Sequence, residues 1–116
     1  MKIINDELLD DFRGPGRCEM CGRWCKRRET HHILPSGMDG GGRMDVAINL
    51  LSVGGHYHGG FPICACHHRA QERATGFTLM DQCTIVAKRE GYPSGEAVLD
   101  ELYRLRRQKK SSNSVE

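Results

Sequence analysis

The chain has 116 residues, 38% hydrophobic and 28% charged, with 14 glycines and a net charge of +2. That is enough for one domain with a small core, the kind that gains from a covalent or metal staple. No apolar run approaches the roughly 20 residues of a membrane span, and MKIINDELLDDF carries acids where a signal peptide has its apolar stretch, so a cytoplasmic protein with no membrane partner is expected.

In chain order, NDELLDDF predicts a short helix capped by Asn5 or Asp6, ended by RGPGR. CEMCGRWC is a knuckle-type turn. RRETHHIL reads as a strand, and residues 35–45, with four glycines and a proline, as a mobile loop. VAINLLSVGG is a second strand and HYHGGFP a further glycine-rich loop. A helix begins around CACHHRAQERATG, with Gly76 as its stop. DQCTIVAKREGYP gives another, capped by Asp81 and closed by Gly91 and Pro93. SGEAVLDELYRLRRQKK is the clearest helix, with Ser94 as cap and Val98, Leu99, Leu102 and Leu105 as its apolar stripe. SSNSVE is expected to be disordered. The reading is a single α+β domain over 1–110, with a motif core at 18–76, helices at 80–110 and a tail at 111–116.

In a cytosolic chain, unpaired thiols bind metal more readily than they form disulfides. Cys18 and Cys21 form a C-x2-C pair, a spacing that lets one turn offer two thiolates to a tetrahedral zinc. CACHH supplies the partners. Cys64 and His67 repeat the two-residue gap, so Cys18, Cys21, Cys64 and His67 are the favoured structural-zinc set, with Cys66 in place of His67 as the competing one. Cys25 and Cys83 then remain as small buried residues. The basic run around Arg23, Lys26, Arg27 and Arg28, and a second one including Arg106 and Arg107, point to a polyanion held by its backbone. Trp24, inside the first run, is expected to pack beside the knuckle, with stacking on a base or sugar as the alternative.

His31 and His32 are immediate neighbours in a predicted strand, so their side chains leave on opposite faces and cannot share one task. With His67 on zinc, His68 faces about 100° further around its helix, and Glu72, one turn on, shares its side.

The C-x2-C pair followed by ETHHILP, DVAINLL and PICACHHRAQE resembles the zinc-stapled phage and bacterial HNH endonucleases over about residues 18–72. The resemblance implies a ββα-metal (His-Me finger) core that hydrolyses DNA phosphodiester bonds around one divalent cation, leaving 5′-phosphate and 3′-hydroxyl ends. Position by position it implies His31 as cation ligand, His32 as the general base that activates water, Asn49 as the brace of the inter-strand loop and His68 as second cation ligand. Glu72 falls where some members have a further ligand. Mg²⁺ or Mn²⁺ is the first expectation, and imidazole also suits Ni²⁺, Co²⁺ and Zn²⁺. The interval from Asn49 to His68 is longer than the compact pattern, which leaves His58, nine residues after Asn49, as an alternative ligand; His56 and His58 are otherwise loop residues or DNA contacts. The rival expectations are a zinc-stabilised DNA-binding module without catalysis and an adaptor working beside a larger phage or bacterial protein.

Overall fold

Asn5 opens the first helix, α1 (Asp6–Asp11), its side-chain oxygen accepting the Leu8 N–H. The computed structural model describes residues 4–34, 44–55, 57–58, 61–62, 64 and 66–115, with the backbone alone at 57–58, 61–62 and 108–115. After α1 come β1 (Gly14–Arg17), β2 (Trp24–His32), a 3-10 turn (Ala47–Asn49), β3 (Leu50–Gly54), the short pair β4 (Tyr57–His58) and β5 (Phe61–Pro62), then α2 (Cys66–Gln71), α3 (Leu79–Glu90) and α4 (Gly95–Val115). The architecture is α+β. β1, β2 and β3 form an antiparallel sheet with β2 in the middle, His31 opposite Leu51 and His32 opposite Leu50.

The RGPGR segment, expected only to break a helix, is the edge strand β1. An edge tolerates proline because one side of the strand has no ladder to donate to. Between Gly14, opposite Arg28, and Gly16, opposite Cys25, the register shifts. Arg28 stitches that irregularity by donating to the carbonyls of Gly14 (3.1 Å), Pro15 (3.2 Å) and Arg13 (3.4 Å). Arg28, expected to contact DNA, is thus spent on the scaffold. The helix ends also move. α2 stops at Gln71, well short of Gly76. α3 starts at a capping box in which Thr78 caps and Asp81 answers from inside the first turn. It closes on Gly91 at φ 77°, a left-handed cap that glycine adopts without strain. α4 is capped by Ser94, whose Oγ accepts the Ala97 N–H, and runs on to Val115 through most of the expected tail.

β3 is buried along its whole length. Ile33, Leu51 and Val53 from the sheet region join Cys83, Val86 and Ala87 of α3 and Val98 and Leu102 of α4 in one core. Elsewhere α1 is tied to the sheet, where Thr30 Oγ1 donates to the Leu9 carbonyl (2.9 Å) and Ser52 Oγ to that of Phe12 (2.6 Å). Arg89 bolts these parts together. It donates to both oxygens of Glu19 (2.7 and 2.9 Å) in the knuckle and to the carbonyls of Leu50 (3.0 Å) and Ala47 (2.6 Å), and its guanidinium carbon lies 4.9 Å from the centre of the Phe12 ring. Arg89→Ala strands a largely buried carboxylate and two carbonyls, an expected loss of about 3 kcal/mol in denaturant unfolding. Arg89→Lys is expected to recover only part, since an ammonium cannot reproduce the planar fork. A loss no larger than that of an exposed pair, below about 1 kcal/mol, would remove the bolt from the account.

Candidate metal centre and active site

The turn between β1 and β2 carries Cys18 and Cys21; the approach to α2 and its first residue carry Cys64 and Cys66. The four sulfurs lie within 4.8 Å of one another, Cys21 Sγ being 3.5 Å from Cys64 Sγ, and all four cysteines are free of disulfides. Tetrahedral zinc–thiolate bonds of about 2.3 Å hold sulfurs about 3.8 Å apart, so the four together fit one zinc-sized ion. This corrects the favoured ligand set: Cys66 takes the fourth place and His67 does not. Cys66 is the first residue of α2, and the next residue is already turned about 100° away from the cluster.

Burial opposes ionisation of Cys18, but hydrogen bonds from the backbone at Gly54, Cys21 and Met20 outweigh it and hold this thiol below its ordinary value. Burial pushes Cys66 far up and Cys21 up. Cys18 ionises readily, whereas Cys21 and Cys66 need a cation's charge to lose their protons. β3 ends against the cluster at Gly54, where a Cβ would fall 2.6 Å from Cys25 Sγ and 2.8 Å from Cys64 Sγ. Only glycine lets the strand pass. Cys25 and Cys83 are buried, as expected of leftover thiols.

His31 and His32 end β2 on opposite faces, each against one buried side-chain oxygen. His31 Nε2 is 2.9 Å from Gln82 Oε1, and the Gln82 amide nitrogen donates to the carbonyls of Ala70 and Phe77 (both 3.0 Å). With both amide donors used, the Gln82 oxygen must accept. His31 therefore carries its proton on Nε2 and keeps the Nδ1 lone pair. The His67 ring stands edge-on to it, centroids 5.7 Å apart. Burial pushes both imidazoles toward neutrality, His31 down to about 4, with His67, Arg73 and His32 adding to the effect there; at His67 the Glu29 charge partly offsets it.

His32 Nε2 lies 2.7 Å from Oδ1 of Asp45, a carboxylate whose other oxygen accepts the Asn5 N–H (2.8 Å). An ionised Asp45 fixes the His32 proton on Nε2 too, which again leaves Nδ1 as the basic nitrogen. Asn49, fully buried, accepts the Leu34 N–H (2.8 Å) and donates to the carbonyls of Leu34 (3.2 Å) and Met44 (3.0 Å), clasping the two residues that flank segment 35–43.

No family model, curated protein or solved structure matches the chain.

The ring that reaches His31 is therefore His67, where the sequence reading placed His68. His68 is 69% exposed by side chain and faces Glu72 at 3.7 Å, itself 56% exposed. Among the described residues the four cysteines are the only group of three or more ligands close enough to share an ion. His56 lies outside the described residues, as does the His58 side chain. Arg23, Lys26, Arg27 and Arg107 are exposed, Arg106 half-buried. The sequence reading missed Asp45, Gln82 and Arg73, whose guanidinium donates to the Ile33 carbonyl. Gln82 left a signal: it is a polar residue four positions before Val86, on the inner face of α3.

The lowered basicity of His31 makes stability depend on pH. The folded imidazole stays neutral down to about pH 4 while the unfolded one takes a proton near 6.5. Its contribution is complete above pH 6.5, declines as the pH falls and is gone by about 4, some 3 kcal/mol in all. Proton NMR should find His31 titrating near 4; a midpoint at the ordinary value would contradict the burial argument.

Proposed function

We propose that the protein is a metal-dependent endonuclease of the HNH kind that hydrolyses DNA phosphodiester bonds. The observation that carries this is the pair of adjacent imidazoles at the end of β2, each locked on Nε2 by a buried oxygen and each keeping a lone pair on Nδ1. One suits a cation, the other a proton. Hydrolysis needs an activated water, stabilisation of the charge that builds on the phosphoryl oxygens, and help for the departing 3′-oxygen.

His32 takes the proton from water, its ring oriented by Asp45. His31, held by the Gln82 carbonyl, is arranged as metal-bound histidines are, with the second ring nitrogen on an oxygen acceptor. His67 is its partner ligand in this reading, taking the place the resemblance gave to His68. A divalent cation on these two rings, Mg²⁺ or Mn²⁺ first, supplies Lewis acidity to the phosphoryl group when bound. Asn49 holds Leu34 and Met44 together close behind His32 in the chain. The order β2, β3, α2 supports the ββα reading, and the cysteine cluster rivets the β1–β2 turn to α2. Exposed Arg23, Lys26, Arg27 and Arg107 would hold the DNA backbone, with binding that weakens steeply as salt rises.

The test is supercoiled plasmid incubated with the zinc-loaded protein and Mg²⁺, Mn²⁺, Ni²⁺ or Co²⁺. Nicking that depends on the added cation is the expected result. Plasmid that stays supercoiled under every cation, while still being bound, would replace the enzyme with a zinc-stabilised DNA-binding module.

A further inference from the structure

Trp24, the single tryptophan of the chain, opens β2 and is 61% exposed, where packing against the knuckle was expected. An indole carries 150–250 Å² of largely apolar surface, and leaving it in water forgoes the stabilisation that burial gives. Its surroundings are cationic. Arg17 sits directly opposite on β1, Arg23 precedes it, and Lys26 follows two residues along β2 on the same face, all exposed; Arg27 leaves on the other face toward Glu29 (3.8 Å). The only acid within residues 13–28 is Glu19. It is turned away, with one oxygen accepting the Ser52 N–H (2.8 Å) and both gripped by Arg89. The tip of the β1–β2 ribbon therefore shows an aromatic face in a basic surround, its one carboxylate withdrawn.

We propose that this tip binds a DNA strand with unpaired bases, one base stacking on Trp24 and the flanking phosphates lying along Arg17 and Lys26. Stacking on an aromatic side chain beside a basic groove is how proteins hold single strands. A duplex, whose bases already cover one another, offers the indole no face. The positive surround favours a polyanion over an apolar protein partner. Trp24 and His32 lie at opposite ends of β2, about 26 Å apart along an extended strand, so the indole anchors the strand away from the chemistry. The inference rests on the nucleic-acid part of the reading above and narrows its substrate to single-stranded or locally unpaired DNA.

The experiment uses the zinc-loaded full chain without added magnesium or manganese. Intrinsic fluorescence comes from Trp24 as the sole indole, so it is titrated with a 12-nucleotide single strand, the blunt duplex of the same sequence, and heparin as a polyanion without bases. The single strand is expected to quench strongly and to bind about tenfold tighter than the duplex. By anisotropy of a labelled strand, Trp24→Ala should lose about five- to a hundredfold in single-strand affinity while duplex and heparin binding stay unchanged. Trp24→Phe should restore part of it. Equal single-strand affinity for wild type and Trp24→Ala, or quenching by heparin as large as by the strand, would overturn the proposal. Strand-specific quenching without plasmid nicking removes the nuclease reading and leaves this one; nicking with no strand preference does the reverse.

Discussion

Cys66→Ser is expected to abolish stable zinc binding and most of the folding stability, whereas His67→Ala should keep one zinc per chain. The two residues are neighbours, and only the phase of α2 separates their roles. Structural zinc contributes about 10–16 kcal/mol of apparent binding free energy in small domains, comparable with or larger than the whole net stability of about 5–15 kcal/mol. Cys18 and Cys21 enter the cluster from the β1–β2 turn, Cys66 from the first residue of α2 and Cys64 from just ahead of it. Removing one thiolate thus weakens the joint between two layers as well as the ion's own hold. Cys18→Ser should behave as Cys66→Ser does. Zinc content by elemental analysis, paired with denaturant unfolding, separates the cases. Full zinc in Cys66→Ser together with loss in His67→Ala would restore the three-cysteine, one-histidine set.

What the sequence could announce was the part written in local spacing. The C-x2-C pair, the second ligand pair ahead of a helix, the helix stripe at Val98, Leu99, Leu102 and Leu105, and the glycine stop at Gly91 all lie within a turn or two of chain. The fourth zinc ligand was not legible, because choosing between Cys66 and His67 requires knowing at which residue α2 begins. The same one-residue difference in phase puts the His67 ring, and not that of His68, beside His31. β1 escaped notice because Gly14, Pro15 and Gly16 look like a breaker until Arg28, more than ten residues along, supplies bonds to its carbonyls. Asp45, Gln82 and Arg89 act through partners 13 to 70 residues away in sequence. No local pattern encodes such pairings; the nearest hint is a polar side chain where a helix period calls for an apolar one.

The second large effect expected is at His32. In a cation-dependent cleavage assay, His32→Ala should lower the rate by about 10²–10⁴, the usual contribution of a positioned general base, while zinc content and DNA affinity stay at wild-type values. Added imidazole should return part of the activity. Asp45→Asn should fall almost as far, for a reason the geometry supplies. One Asp45 oxygen accepts the Asn5 N–H and the other faces His32 Nε2. An asparagine must keep its lone oxygen on Asn5, because that backbone group can only donate, and so it turns its NH₂ toward His32. Nε2 then becomes the acceptor and the ring proton moves to Nδ1, the nitrogen that has to receive the water's proton. The ring stays in place and loses its basic nitrogen. Loss of rate in Asp45→Asn with unchanged melting separates this tautomer effect from a structural one. Wild-type cleavage by His32→Ala would end the role assigned to the second histidine of the pair.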